Sequence, residues 1–391
     1  MMKNYKRLYL LLFVGLSVVS TAMGQYTLTL RIQQQPANHS VESIFAAGNF
    51  NQWQPADSNF RFIQSGGHLI LTIKTSSANV TEFKCTRGNW QKTACNSSGA
   101  DEKNHAIVVT QDTVIDIKIN AWKDDFTVPE KQHTISKNVQ VIDTAFAIPQ
   151  LNTTRKIWIY LPPDYAGSNA KYPVMYLQDG QNIFDEYTSG YGEWGVDEIL
   201  DSMIKEGSPP CIVVGIDNGA ERMQEYNPYD VEKFGKGKGD GYLSFLKETL
   251  KPFIDRHYRT LSSKKNTIIG GSSMGGLISF YAMLKYPETF GNAGIFSPSF
   301  WIADGIKKMT DSTAGKLDGK LFFYMGGLEG PANLADMNEV VEKAGKKSNA
   351  MIYSIVDPEG QHNERAWHKW FAAFYKWLMS DGFNQPLELE K

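Results

Sequence analysis

Thr267-Ile268-Ile269-Gly270-Gly271-Ser272-Ser273-Met274-Gly275-Gly276 is a β-branched run that stops abruptly at small residues, after which residues 277–284 resume with helical spacing. That is strand, sharp turn, helix. Ser273 sits at the centre of a G-x-S-x-G pattern, and Ser272 lies one place off it. In such a nucleophile elbow the turn holds the serine in a strained conformation and lifts its hydroxyl clear of the sheet. Flanking glycines let strand and helix pass close together. The amide of Met274 then opens the helix and points at an oxyanion.

Outward from the elbow, strands alternate with amphipathic helices. The pattern predicts strands over 157–161, 174–177, 212–216, 267–269, 293–296, 321–324 and 351–355. It predicts helices over 196–205, 242–258, 276–286, 334–344 and 364–379. Alternation of this kind implies an α/β domain, here residues 138–380, with a mostly parallel sheet covered on both faces. Ligands on such sheets bind beyond the carboxyl ends of the strands, and the elbow is at one of those ends.

A serine hydroxyl needs a base to take its proton as it attacks, and in α/β-hydrolases the chain order is Ser, acid, His. Of the seven histidines, His362 and His368 follow Ser273, and His257 precedes it. His362 lies in Asp357-Pro358-Glu359-Gly360-Gln361-His362-Asn363, a loop after the last strand and before the last helix. His368 lies inside that helix between Trp367 and Trp370, where packing is its expected role. His257 ends a helix and suits a C-terminal cap. The acid is expected after the strand over 321–324, where Gly326-Gly327-Leu328-Glu329-Gly330 offers Glu329, with Asp336 as a rival. The second oxyanion donor is expected from the backbone of Gly180 or Gln181 in Leu177-Gln178-Asp179-Gly180-Gln181-Asn182. This chemistry needs neither metal nor organic cofactor.

The rest of the chain reads differently. Residues 1–24 carry Lys3, Lys6 and Arg7, a short apolar run over 8–19, then Ala22-Met23-Gly24. That is a signal peptide, so the protein is expected to be exported after cleavage near Gly24. Removing those three cations from the 40 basic residues leaves a mild excess of the 42 acidic ones, which argues against nucleic acid or an anionic membrane as partner. Residues 25–128 show short alternating runs such as Tyr26-Thr27-Leu28-Thr29-Leu30 between Asn, Gly and Ser clusters, the pattern of a small β-sandwich. Residues 129–137 read as a linker, and 381–391 as a polar tail. Cys211 reads as an inert buried thiol. Cys85 and Cys95 flank a Gly88-Asn89 turn, and either a disulfide or two free thiols fits that spacing. No His/Cys cluster has metal-ligand spacing.

These residues together resemble the Putative esterase family of α/β-hydrolases, which includes esterase D, feruloyl and acetyl-xylan esterases and enterobactin-type siderophore esterases. The matching stretches are Leu177 to Asp185, Gly215-Ile216-Asp217-Asn218-Gly219, Gly270 to Gly276, Ser297-Pro298-Ser299-Phe300-Trp301 and Gly360 to Trp367. The resemblance implies Ser273 as nucleophile and His362 as base. It also supports Glu329, where relatives often carry Asp. Trp301, just past the Ser297–Ser299 strand end, is a candidate wall of the substrate pocket. The first domain is similar to starch- and glycogen-binding modules through Ala47-Gly48-Asn49-Phe50-Asn51-Gln52-Trp53 and Phe83 to Trp90, with Trp53 and Trp90 as candidate sugar-stacking rings. The expectation is an exported serine esterase acting on an acyl ester of a carbohydrate. A siderophore-ester hydrolase and a non-catalytic sugar-binding protein are the alternatives.

Overall fold

The computed structural model describes residues 25–76, 80–126 and 131–380. The expected signal peptide (1–24) and polar tail (381–391) lie outside the described residues. By packing, the chain divides into residues 1–130 and residues 131–391. Among the described residues no helix is long and apolar enough to cross a membrane.

The second unit is built on an eight-stranded sheet. Its strands are β1 (Val139–Ile148), β2 (Thr153–Tyr160), β3 (Val174–Gln178), β4 (Ile212–Ile216), β5 (Thr267–Ser272), β6 (Asn292–Phe296), β7 (Lys320–Gly326) and β8 (Met351–Asp357). Their order across the sheet is β1-β2-β4-β3-β5-β6-β7-β8. β1 and β2 run antiparallel to their neighbours, and the other pairs are parallel. Strands β3, β4 and β5 are buried at every residue. That burial on both faces is why they read as unbroken apolar or small-residue runs rather than alternating ones.

The sheet is flanked by α1 (Val196–Lys205), α2 (Met274–Lys285), α3 (Pro331–Lys347) and α4 (Glu364–Met379). One face packs on α2 and α3 through Leu277, Ile278, Met337 and Val340. The other packs on α1 and α4 through Leu200, Trp370, Phe371 and Phe374. The α/β-hydrolase architecture expected from the sequence is therefore present.

The helix Gly305–Thr313 was not expected, and two further departures have a physical cause in the sequence. Strand β1 escaped the sequence pattern because its pairing with β2 shifts register twice, between Val141 and Asp143 and between Asp143 and Phe146, which scrambles the alternation of faces. The helix expected over 242–258 is Gly239–Phe245 and Lys251–His257 joined by a π-helical turn, Leu246–Leu250. Pro252 lacks an amide proton and crowds the carbonyl four residues back, so the wider turn accommodates it.

The first unit has a four-stranded sheet, Gln25–Gln34, Ile63–Ser65, His68–Ser76 and Thr113–Lys118, and a three-stranded one, Phe45–Gly48, Val80–Thr86 and His105–Val108. Leu28, Leu30, Leu71, Ile73 and Ile117 from the first share one core with Ala46, Phe83 and Cys85 from the second. Cys85 and Cys95 are free thiols, so the disulfide is not formed. Cys85 belongs to the three-stranded sheet, whereas Cys95 pairs with Ala121 in a separate two-stranded ladder. Burial pushes the thiols of Cys85 and Cys211 up to about 12, which leaves both poor nucleophiles.

Candidate active site

Strand β5 ends at Ser272, and Ser273 is the N-cap of α2 with φ 59° and ψ −121°. A non-glycine residue at positive φ costs on the order of 1–3 kcal/mol, so its surroundings must hold it there. They do so through the backbone. Ser273 N donates to Phe296 O at 2.9 Å, and Ser273 O accepts from Leu277 N and Ser299 N, both at 3.1 Å. A Cβ added to Gly276 would lie 2.9 Å from Phe296 O, so only glycine lets the helix start this close to β6. The amide of Met274, first in α2, has no acceptor within the helix.

His362 stands on the loop between β8 and α4, and its Nδ1 lies 2.6 Å from Glu329 Oε2. The Glu329 side chain is 2% exposed and that of His362 is 43% exposed. Glu329 belongs to a short turn, Gly327–Glu329, directly after β7, so this carboxylate and the His362 imidazole come from adjacent strand ends. The bond to Nδ1 leaves Nε2 as the free ring nitrogen. The hydrogen bond of the Ser273 hydroxyl is to Ser299 Oγ, at 3.2 Å.

Of the rival residues, Asp336 lies on α3 and forms an ion pair with Lys307 at 2.6 Å. His257 Nδ1 bonds to Phe253 O at 2.8 Å within its own helix. His368 Nδ1 bonds to Trp194 O at 2.7 Å. Glu329 is thus the carboxylate the fold brings to His362.

Asp179 opens the loop expected to carry the second oxyanion donor, with φ 60°. Its carboxylate accepts from Asn218 Nδ2 (2.6 Å) and, bidentately, from Arg222 Nε (2.6 Å) and Nη2 (2.8 Å). Gln181 Oε1 accepts from Asn218 N at 3.1 Å. These bonds fix the backbone of Gly180 and Gln181 from both sides. A Cβ on Gly180 would lie 2.8 Å from Ile216 N, so the loop lies flat against β4. Sequence reasoning missed Asn218 and Arg222 as the anchors, although Asn218 falls in the Gly215–Gly219 stretch that carries part of the family resemblance.

Trp301 is half-exposed on the turn Phe300–Ile302, two residues past Ser299. It meets Phe234 edge to face, with ring centroids 6.2 Å apart. The two rings line a cavity of about 540 Å³ together with Tyr229, Ile302, Asp304 and Gly305. Ser273, Glu329 and His362 are not part of its lining, which also carries the charged Asp230, Glu232 and Lys233. In the first unit, the fold gathers His39, Asp124 and Asp125 within ligand distance, a group no sequence spacing disclosed. There the imidazole is already bonded to Glu42 and Asp125.

Glu364, the first residue of α4, is buried beside the site and accepts from Asn182 Nδ2 at 3.3 Å. Burial, reinforced by the nearby Asp179 carboxylate and opposed by His362 and Arg222, pushes its carboxyl up to about 7. A carboxyl raised on folding stabilises the native state only at low pH. Between the ordinary value near 4.5 and about 7 the unfolded chain ionises first, so stability falls as pH rises through that window. The full effect is on the order of 3 kcal/mol. Glu364→Gln should therefore raise the melting temperature by several degrees at pH 8 and change it little at pH 5. An equal shift at both pH values would refute the assignment.

Residues 148–380 match the family described as Putative esterase. The endo-1,4-beta-xylanase/feruloyl esterase of Xylanibacter ruminicola is 27% identical over 240 residues, 60% of this chain and 31% of that protein. The ferri-bacillibactin esterase BesA of Bacillus subtilis is 28% identical over 214 residues, 46% of this chain and 70% of that one. Among solved structures, the enterobactin esterase of Shigella flexneri aligns with a TM-score of 0.51 at 15% identity, over 90% of this chain and 92% of that one, a likeness of fold. A family match over more than half the chain, on a sheet that carries its G-x-S-x-G serine at a positive-φ elbow, leads to one conclusion. The chain belongs to the Putative esterase family, carboxylic ester hydrolases of the α/β-hydrolase fold.

Proposed function

We propose that this esterase works through an acyl-enzyme on Ser273, with His362 as proton carrier and Glu329 as the carboxylate that orients it. Ser273 Oγ attacks the ester carbonyl while His362 Nε2 takes its proton. The amides of Met274 and of Gly180 or Gln181 hold the resulting oxyanion. Collapse expels the alcohol, which takes the proton from the imidazolium, and water then releases the acid by the same steps. One observation carries this reading: the 2.6 Å bond from His362 Nδ1 to a buried carboxylate at the adjacent strand end. It fixes the tautomer whose Nε2 can accept a proton.

The substrate class we infer is an acyl ester of a carbohydrate, of acetyl or feruloyl type, met outside the cytoplasm after signal-peptide cleavage near Gly24. Three things support it. One is the likeness to a xylanase/feruloyl esterase. A second is the neighbouring pair Trp53 and Trp90 in the first unit, with centroids 6.4 Å apart and Trp90 exposed. The third is the cavity walled by Trp301 and Phe234, because flat aromatic faces suit sugar and feruloyl rings alike. A second reading, hydrolysis of an iron-chelator ester, is favoured by the likeness to a ferri-bacillibactin esterase.

Rates on acetylated xylan, a feruloylated oligosaccharide and a catecholate trilactone decide between them. A higher kcat/KM on the trilactone than on either glycan ester would replace the first reading by the second. Under the first, Trp301→Ala should raise KM for the preferred glycan ester about tenfold, the loss of one buried aromatic contact. It should leave hydrolysis of p-nitrophenyl acetate nearly unchanged. An unaltered KM would remove Trp301 from the pocket.

A further inference from the structure

Trp367 Nε1 lies 2.9 Å from Ser297 Oγ, and that oxygen lies 2.6 Å from Glu329 Oε1. An indole N–H can only donate. Ser297 therefore accepts from Trp367 and turns its own proton toward Glu329. Gly326 N adds a second donor to the same carboxylate oxygen at 2.8 Å. With Oε1 taken by two donors, Oε2 is the oxygen that faces His362 Nδ1, and the proton of that bond lies on the ring. A carboxylate can only accept, so all three partners donate to Glu329, and the indole leaves the Ser297 proton free for that bond.

The surroundings make this direction hard to reverse. Ser297 is 1% exposed and Trp367 4% exposed, so neither contact is open to water. Ser297 sits at φ 44°, with its amide bonded to Tyr324 O at 2.7 Å, which fixes where its hydroxyl starts. The indole ring stands edge-on to the imidazole, centroids 5.2 Å apart at 85°, and also packs on Trp194 at 5.8 Å. Packing alone would require the ring but not its N–H.

We propose that Ser297 and Trp367 are positioning residues for the esterase reaction: a donor relay, Trp367 to Ser297 to Glu329, holds the carboxylate so that it orients the His362 imidazole. This rests on the assignment of Glu329 and His362 above. Ser297→Ala keeps the Cβ at its backbone angle and removes one donor from a buried carboxylate. The carboxylate then holds the ring proton more tightly, so the acid limb of kcat/KM moves to higher pH, by roughly one unit, whereas Glu364, Asp179 and Arg222, the other charged groups about the imidazole, are untouched by the substitution. The plateau rate falls about tenfold, the usual size for one bond to a charged group. Trp367→Phe keeps an aromatic ring in place and removes only the N–H. It should cost about threefold in the wild-type background and nothing further in Ser297→Ala, because it acts through that hydroxyl.

The test is pH–rate profiles of the two single variants and the double variant on p-nitrophenyl acetate, with thermal melts of each. An unmoved acid limb in Ser297→Ala, or an equal cost of Trp367→Phe in both backgrounds, overturns the relay. Should Ser297→Ala fail to fold, the limb is read from Trp367→Phe, and an unmoved limb there overturns the relay too. Glu329→Ala run in parallel separates the two claims. Full activity in that variant defeats the acid assignment itself, whereas its loss beside an unmoved limb defeats the relay alone.

Discussion

Ser273→Ala is expected to lower kcat/KM on p-nitrophenyl esters by roughly 10,000-fold or more, the size found when a catalytic nucleophile is removed from such a site. Its melting temperature should stay close to that of the wild type. The reason is specific to the elbow. Serine and alanine both carry a Cβ, so the strain at φ 59° is the same in each. The backbone bonds to Phe296, Leu277 and Ser299 are also untouched. Only the 3.2 Å contact with Ser299 Oγ disappears from the folded state. Retained oxyanion donors leave a residual rate above that of water. Equal rates for variant and wild type would remove Ser273 from the mechanism.

The second large effect is expected from Glu329→Gln, a change of one atom. In the native site, Oε1 accepts from Ser297 Oγ and Gly326 N, and Oε2 faces His362 Nδ1. A glutamine has one acceptor and one donor end. Two donors already point at the first position, so the carbonyl is drawn there and the NH2 group is left facing Nδ1. The ring must then accept at Nδ1 and carry its proton on Nε2, the tautomer that cannot take a proton from Ser273. The expected result is a drop in kcat of roughly 10,000-fold, as for a triad carboxylate changed to its amide. The fold has little reason to change, since the side chains are isosteric. A variant that keeps more than a tenth of wild-type kcat would show that Glu329 does not set the tautomer.

These effects trace back to unequal legibility in the chain. Strands β3, β4 and β5 were readable because burial on both faces demands unbroken apolar or small residues. The elbow was readable because its geometry needs small residues within one turn of the serine. His362 and Glu329 were readable from a weaker rule, that groups acting together sit just past strand ends. Strand β1 was not readable, because two register shifts destroy its period. The supporting residues were not readable either. Ser297 and Trp367 are 70 residues apart, and Asp179 and Arg222 are 43 apart. No local preference connects such pairs. The cysteine pair shows the same limit: close in sequence, Cys85 and Cys95 nonetheless join different ladders and remain thiols.

The amino-acid order alone determined most of the alternation of strands and helices and the bend at residue 273, because both depend on interactions within a few residues along the chain. It left open which carboxylate would meet His362. That was decided in three dimensions, where Asp336 on α3 is engaged by Lys307 and Glu329 emerges from β7 beside the end of β8. The tertiary structure also decided which donors surround that carboxylate, since the Trp367 N–H, buried in α4, occupies the Ser297 oxygen and leaves its proton for Glu329. Periodicity can report which face of an element is buried. It carries no information about which two side chains from distant elements will share a proton.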